Sequence, residues 1–188
     1  HAHLSLTGLG RKDVAYDFTH ARHVVLQLRN IFEAVDVQEV NTLMAAMEKG
    51  CRLTVIDIRA NVSATKAHDF FMVRPGSDYA FNLAVIHVLI KERLYDAAYV
   101  ARYVQDMGKL EMFVEPYTPE WAAAETGVDA DQLRRFARRL AEAAPAVIWH
   151  PGWMALRYRH SFYVCRSIYI INALLGAIGT QGGLPLVN

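Results

Sequence analysis

The first part of the chain has the hydrophobic pattern of two parallel strands joined by a helix. His23–Gln27 (HVVLQ) and Leu53–Asp57 (LTVID) are short apolar runs of the kind that form buried strands. Between them, Gln38–Lys49 has apolar residues at i, i+3, i+4 and i+7, which is one face of a helix, and Gly50 is a natural stop for it. Such a connection is right-handed by default. The pattern therefore predicts an α/β fold, a Rossmann-like parallel sheet flanked by helices.

The later segments continue this pattern. The segment Asp78–Leu94 is apolar nearly all round, which predicts a helix buried against a face of the sheet. Ser77 is expected to cap it, and Thr118 to cap a later helix that has Pro119 in its first turn. Asp129 is expected to cap a further helix, because Asp129 to Gln132 has the pattern of a capping box. Other elements are predicted as helices at Tyr95–Gln105 and Ser161–Gly176, and as a buried strand at Ala146–His150.

Composition and cysteine spacing argue against several classes of protein. The 188 residues are 53% hydrophobic and 21% charged, which fits an ordered globular chain, and the net charge of +1 argues against a general binder of nucleic acid or membrane surfaces. Cys51 and Cys165 belong to no C-x-x-C pair, so no iron–sulfur or zinc site is expected from this chain alone. Two buried thiols are favoured over a disulfide, which stays open. No run approaches the ~20 apolar residues that span a bilayer, so no direct membrane insertion is expected.

A polar stretch follows the second predicted strand. Asp57 ends that strand, where a carboxylate can accept from a ribose or a guanine; the alternative is a helix cap or an ion pair with Arg59. Arg59 can in turn neutralise a phosphate. The loop RPGSD, from Arg74 through Gly76 to Asp78, opens the next helix and can bind an anion through its backbone N–H groups, or be a simple turn and cap. Together these features suggest a site for a large phosphate-bearing cofactor.

Three further residues are candidates at other predicted strand ends. Asn30 can hydrogen-bond a nucleotide or stabilise its loop, and the absence of G-x-G-x-x-G beside it argues against a plain NAD-dependent enzyme. His150 can donate to a ligand or shuttle a proton, against the alternative of a structural histidine. Trp153 can pack on a cofactor ring or belong to the core. No set of metal ligands can be assembled, and the run of Arg134, Arg135, Arg138 and Arg139 is interpreted as a solvated or subunit-facing surface.

Six short blocks, taken in order, resemble a known family. The chain is similar to the molybdopterin oxidoreductases of the dimethyl sulfoxide reductase family, and within it to the catalytic subunits of polysulfide, thiosulfate and sulfite oxidoreductases. The blocks are VLQLRN at 25–30, TVIDIR at 54–59, TKAH at 65–68, RPGSD at 74–78, YTPEW at 117–121 and NALLG at 172–176. Two positions depart from common forms of the family: Leu28 stands where many members have Gly, and Ile58 where many have Pro.

The resemblance implies that the chain, which does not begin with Met, is an inner fragment of a longer protein. Residues 17–183 would form a domain that binds one arm of a molybdenum bis(molybdopterin guanine dinucleotide) cofactor. Residues 1–16 would lead in from an upstream region that holds a [4Fe–4S] cluster and the molybdenum ligand, and residues 184–188 would lead out. By position, Asn30, Asp57, Arg59, Arg74 and Asp78 fall on nucleotide-contacting motifs, and His150–Trp153 near the active-site funnel.

For the whole protein, the resemblance implies a bacterial enzyme acting on polysulfide, thiosulfate or sulfite. Electrons would pass to an iron–sulfur subunit and to a membrane subunit that interacts with quinone, so the protein would be membrane-associated through its partners. The alternative is a cofactor-free structural subunit of a membrane respiratory complex.

Overall fold

The computed structural model describes residues 15–33, 36–157 and 161–186. Its centre is a sheet of parallel strands in the order β3-β2-β1-β4. The strands are β1 (His23–Gln27), β2 (Arg52–Asp57), β3 (Asp69–Met72) and β4 (Val147–Pro151). This arrangement confirms the predicted α/β class and the parallel pairing of the first two strands.

Helices cover both faces of the sheet. They are α1 (Val37–Glu48), α2 (Val62–Lys66), α3 (Asp78–Lys91), α4 (Ala97–Tyr103), α5 (Met107–Val114), α6 (Pro119–Thr126), α7 (Ala130–Ala143) and α8 (Ser161–Leu174). Short 3-10 turns lie at Phe18–His20, Ile31–Glu33 and Trp153–Leu156. The sequence analysis did not predict β3, α2 or α5. These elements are short, and only Phe71 of the four β3 residues is fully buried, so no periodic pattern marks that strand.

Side chains that alternate along each strand divide the core into two layers. On one face, Val24 and Leu26 of β1 pack with α1; on the other, Val25 packs with α3, α7 and α8. α3 is buried along most of its length, which confirms that it packs on the sheet. Phe136 of α7 joins the sheet to α3, because its ring lies 5.6 Å from the Trp149 ring and 5.8 Å from the Phe81 ring.

Two of the three predicted caps are confirmed and one is wrong. The Thr118 hydroxyl accepts from the N–H of Trp121 at 3.2 Å, and the Asp129 carboxylate accepts from the N–H of Gln132 at 3.0 Å. Ser77 occupies the N-cap position of α3 but makes no capping bond with its side chain. Its hydroxyl instead donates to the carbonyl of Arg74 at 2.7 Å, which closes the preceding turn.

The cysteines and the arginine run have structural explanations. Cys51 and Cys165 are buried free thiols, which confirms the favoured interpretation, and burial raises the pKa of each to about 11. Three of the four arginines of α7 pair with acids, namely Arg134, Arg138 and Arg139. Arg138, for example, binds Glu92 through two bonds of 2.7 and 2.8 Å. In the part of the chain that the structure describes, no helix is both long and apolar enough to cross a bilayer.

Asn172 completes the outer edge of β4. Its side-chain oxygen accepts from the Trp149 N–H at 3.0 Å, and its amide donates to the Trp149 carbonyl at 3.0 Å and to the Ile168 carbonyl at 3.1 Å. The two bonds to Trp149 replace those that a neighbouring strand would make. One side chain therefore satisfies the edge of β4 and joins it to α8.

Replacing Asn172 by Ala is expected to destabilise the folded protein. The change leaves the buried N–H and C=O of Trp149 without partners, and each unpaired group costs on the order of 1–3 kcal/mol. The measurement is chemical unfolding of the full-length protein. Asn41→Ala, at an exposed position of α1, is the matched control and should stay within about 0.5 kcal/mol of the parent; equal effects of the two changes would contradict the role of Asn172.

His23 makes the fold sensitive to acid. It is buried at the start of β1 beside the Thr54 hydroxyl, 2.9 Å from its Nε2, and burial, together with the nearby Arg52 cation, lowers its pKa from 6.5 to about 4. The unfolded chain therefore binds this proton at a higher pH than the folded chain does. The contribution of neutral His23 to the free energy of unfolding is complete above pH 6.5 and is lost as the pH falls toward 4.

As the pH falls from 7 to 5, titration of His23 is expected to lower the free energy of unfolding by about 2 kcal/mol. Replacing it by Gln, which cannot titrate, should flatten this part of the pH profile while the contributions of other groups stay the same. Denaturant unfolding of both proteins at the two pH values measures the difference. Parallel profiles would show that His23 does not titrate as its burial requires.

Candidate functional site

The residues singled out in the sequence lie at one edge of the sheet. Asn30 follows β1; Asp57 and Arg59 lie at the end of β2; Arg74, Gly76 and Asp78 follow β3; His150 and Trp153 lie at the end of β4. Because the four strands are parallel, their carboxyl ends meet at this edge, which we call the carboxyl edge. Ligands of open α/β sheets bind at such an edge.

The exit from β1 is shaped by a contact between Leu28 and Gly152. Leu28 has a left-handed backbone with φ of +54°, a conformation that costs a non-glycine residue on the order of 1–2 kcal/mol. Its side chain is buried in the core, so it does not project from the carboxyl edge. A Cβ on Gly152 would lie 1.8 Å from the Leu28 carbonyl oxygen, so no other residue fits there. The Gly152 N–H donates to the Gln27 carbonyl at 2.7 Å.

A buried chain of hydrogen bonds joins β4, β1 and α3. The Trp149 indole N–H donates to the Gln27 side-chain oxygen at 3.0 Å, and the Gln27 amide donates to Asp78 Oδ1 at 3.3 Å. All three residues are nearly inaccessible to solvent. Since an indole N–H only donates, it fixes which end of the Gln27 amide faces Asp78.

Asp78 is the most unusual of the predicted residues. Its carboxylate is 1% exposed, and Oδ2 has no hydrogen-bond partner among the described residues. Burial raises the pKa of this carboxyl, although the hydrogen bond from Gln27 opposes the effect. Asp78 also lines a cavity of about 650 Å³, together with Arg74, Trp121 and Tyr163. An unpartnered acceptor at a cavity wall is suited to a ligand that donates hydrogen bonds.

Asn30 and Asp57 are both tied to the start of α2. The Asn30 side-chain oxygen accepts from the Ser63 hydroxyl at 2.8 Å, and Asp57 Oδ2 accepts from the Asn61 amide at 2.8 Å. Asn61 in turn caps α2. Asp57 Oδ1 accepts from the N–H of Ile58 at 2.7 Å. Both side chains thus stabilise their loops, and within the described residues Asp57 and Arg59 form no ion pair.

The basic and aromatic candidates differ in their contacts. Arg59 is exposed and makes no ion pair within the described ranges. The Arg74 guanidinium donates to the carbonyls of Ala124 and Glu125, at the end of α6, where a cation is favoured. Gly76 is exposed with φ of +82°, which a turn of this shape requires. Trp153 is 76% exposed, so it does not belong to the core.

His150 contacts residues that lie just after β1 and just before it in the chain. Its Nε2 lies 3.0 Å from a guanidinium nitrogen of Arg29, which also forms a salt bridge with Glu39 of α1. The Tyr16 ring lies 4.1 Å from the His150 ring. Burial, with a smaller effect of the neighbouring Tyr169, raises the pKa of the Tyr16 phenol well above its ordinary value. His150 therefore sits inside a polar cluster behind the carboxyl edge.

Several residues of this edge were not predicted from the sequence. Gln27 and Trp149 orient Asp78, Asn61 holds Asp57, and Arg29 holds His150. Gln27 could have been found from the sequence, because it is a polar residue at the end of an apolar strand, as Asp57 is. Within the described residues, no three His, Cys, Asp or Glu side chains lie together as a metal site would require.

Comparison with known proteins agrees with this arrangement. The family model of the molybdopterin oxidoreductases matches residues 5–188. Over 172 residues, the chain is 40% identical to the thiosulfate reductase molybdopterin-containing subunit of Salmonella typhimurium, a match that covers 92% of this chain and 23% of that protein. It is 31% identical over 157 residues to the arsenate respiratory reductase molybdopterin-containing subunit of a Shewanella species, covering 71% of this chain and 18% of that protein.

A solved structure shows the same fold. Acetylene hydratase from Pelobacter acetylenicus superposes with a TM-score of 0.82 at 26% identity, covering 94% of this chain and 24% of that chain. The chain therefore spans about a quarter or less of each of these proteins. The match along nearly its whole length, the fold and the resemblance seen in the sequence agree: the chain belongs to the molybdopterin oxidoreductase family.

Proposed function

We propose that this chain is the part of a molybdenum oxidoreductase that holds one arm of a molybdenum bis(molybdopterin guanine dinucleotide) cofactor. The observation that supports the proposal is the buried carboxylate of Asp78, a residue that lines the cavity beside Arg74 and whose Oδ2 has no partner among the described residues. Guanine carries two adjacent donors, N1–H and the N2 amino group. A carboxylate can accept from both, which an adenine edge cannot offer. The residues present thus fit the guanine end of the cofactor.

Other residues of the carboxyl edge suit the rest of the nucleotide. Arg59 is exposed and available to a phosphate, and the loop from Arg74 to Ser77 leads into the N-terminus of α3, whose dipole favours an anion. The Asp57 carboxylate and the Asn30 side chain lie beside the start of α2. There the carboxylate can accept hydrogen bonds from a ribose, and the Asn30 amide can donate to it. The exposed Trp153 ring offers a flat surface to a ring of the cofactor. Residues 17–183 would form this binding domain.

When bound, the cofactor supplies two-electron chemistry at molybdenum; this chain binds and orients it. We propose a sulfur compound as the substrate, because the chain is 40% identical to a thiosulfate reductase subunit. With thiosulfate, two electrons and two protons break the S–S bond and give sulfide and sulfite. Polysulfide and sulfite are the other members of the proposed class. His150 is the candidate in this chain for donating a hydrogen bond toward the substrate.

The parent protein is proposed to work in a complex. Its upstream region would hold a [4Fe–4S] cluster, and electrons would be exchanged with an iron–sulfur subunit and, through it, with a membrane subunit that interacts with quinone. The protein would then be bound to a bacterial membrane through these partners. Support comes from the relatives, two of which are named as molybdopterin-containing subunits.

Replacing Asp78 by Asn in the full-length protein is expected to lower bound guanine and molybdenum at least several-fold. The amide keeps the volume and can still accept from Gln27, but it loses the charge and the second acceptor that guanine requires. Guanine released by acid hydrolysis and metal analysis measure the loss. Asp131→Asn, an exposed acid in the first turn of α7, is the matched control and should retain the parent content.

Asp57→Ala should also lower the cofactor content. The change removes both oxygens of the carboxylate, which are hydrogen-bond acceptors, and leaves the Asn61 amide without this partner. Unchanged guanine in folded Asp78→Asn protein would contradict the role of Asp78 in the site. Unchanged guanine in both Asp57→Ala and Asp78→Asn proteins would contradict the assignment of the carboxyl edge as the nucleotide site.

The purified complex containing the full-length protein is expected to hold about one molybdenum per chain and to oxidise reduced methyl viologen in the presence of thiosulfate. A folded complex without molybdenum would establish the alternative, a cofactor-free structural subunit. A molybdenum-containing complex that reduces polysulfide or sulfite but not thiosulfate would keep the sulfur class and correct the substrate. Inactivity with all three would refute the sulfur proposal.

A further inference from the structure

We propose that Arg29 is a positioning residue that, with Glu39, holds His150 as the tautomer whose proton is on Nδ1. The tautomer follows from the contacts of the described residues. That His150 serves a ligand at the carboxyl edge rests on the proposed function.

The path of the backbone brings Arg29 to His150. The left-handed turn at Leu28 changes the direction of the chain one residue after β1 ends, and Gly152 lets β4 approach that turn closely. In the register of the two strands, His150 lies opposite Leu26. The Arg29 side chain can therefore lie over the end of the neighbouring strand, with 15% of its surface exposed.

The chemistry of the two groups determines the proton's position. A guanidinium has only N–H donors, so in the 3.0 Å contact the Nε2 of His150 must accept. An imidazole nitrogen that accepts carries no proton, and the proton of the neutral ring is then on Nδ1. The opposite tautomer would set two donors against each other.

Glu39 and two aromatic rings fix the geometry of this contact. The other terminal nitrogen of the guanidinium binds the Glu39 carboxylate at the start of α1, so the planar group is held at both ends. The Tyr16 ring lies against the imidazole at 4.1 Å, and the Phe18 ring lies 6.5 Å away at an interplanar angle of 17°. These contacts limit rotation of the imidazole.

This arrangement restricts what His150 can do. The ring can donate through Nδ1, whereas Nε2 can accept a proton only after the bond to Arg29 breaks. His150 therefore does not act as a base through Nε2 while the contact with Arg29 holds. Arg29 acts through His150 and touches no reacting atom in this scheme.

The experiment measures the tautomer in the full-length protein labelled with ¹⁵N-histidine. A magic-angle-spinning NMR difference spectrum between the parent and His150→Gln isolates the His150 signals. We expect a protonated Nδ1 and an unprotonated Nε2 in the parent, loss of this preference in Arg29→Met, and its partial recovery in Arg29→Lys, which keeps a donor. Arg22→Met removes an exposed arginine at the opposite end of β1 and should leave the signals unchanged.

Activity supplies a second readout. For thiosulfate reduction, Arg29→Met should lower kcat about tenfold or more while bound guanine and molybdenum stay near the parent level, and Arg29→Lys should recover part of kcat. If Arg29→Met does not fold, Glu39→Gln and Arg29→Lys provide the same comparison. A protonated Nε2 in the parent, or an unchanged tautomer in folded Arg29→Met, would overturn the proposal.

The two proposals fail in different ways. Absence of molybdenum with the expected tautomer would refute the proposed function and leave the tautomer assignment standing. Full cofactor content and activity, with lower stability as the only effect of Arg29→Met, would show that the cluster is structural and would overturn the role of Arg29.

Discussion

The close contact of Gly152 with the Leu28 carbonyl is the constraint on which the carboxyl edge depends. The absence of a side chain at Gly152 allows its N–H to reach the Gln27 carbonyl at 2.7 Å, and β4 then ends directly beside the exit from β1. Leu28 accepts a strained backbone at this point. The strain is offset locally, since its side chain is buried in the core. A structure that stores strain at a strand end and compensates for it nearby is typical of a functional edge.

β1 lies at the centre of the buried polar network, because its last residue, Gln27, bonds to two other elements. Gln27 receives a bond from Trp149 of β4 and gives one to Asp78 of α3, so β4 and α3 are connected through a single fully buried amide. Burying polar groups is unfavourable unless they are paired. The network is paired except at its end, where Asp78 Oδ2 has no partner within the described residues. A fold that satisfies Trp149 and Gln27 but leaves a buried carboxylate oxygen unpaired is prepared for a donor from outside the chain.

Much of the fold followed from sequence because its elements have regular hydrophobic patterns. The α7 helix was predictable since Leu133, Phe136 and Leu140 recur at helical spacing and Asp129 precedes them as a cap. β3 was not predictable, because a strand of four residues is too short to show a period. Ser77 was assigned as a side-chain cap, yet its hydroxyl reaches the Arg74 carbonyl instead. Local chemistry allows both bonds, and only the three-dimensional turn decides between them.

The site was predictable in its location more than in its contacts. Polar residues at the ends of strands, such as Asn30 and Asp57, indicate the carboxyl edge, because ligands of open α/β sheets bind at the carboxyl ends of the strands. The contact of Arg29 with His150 depends on the left-handed turn at Leu28 and on the register between β1 and β4, neither of which is visible in the sequence of a loop. Asn172 shows the same limit: its motif was recognised through a resemblance, whereas its bonds to the Trp149 backbone explain why an amide is needed there.

The order of the strands also bears on how one edge can serve both binding and chemistry. Asp57, Arg59 and Arg74 follow β2 and β3, whereas His150 belongs to β4, on the far side of β1. Under the proposed function, a long dinucleotide cofactor along this edge would have its nucleotide near β2 and β3 and leave the β4 side to the reacting end. The shared fold of a hydratase shows that the sheet itself does not choose the reaction. The choice must then depend on groups near the reacting end, and in this chain Arg29 and His150 lie on the β4 side of the sheet.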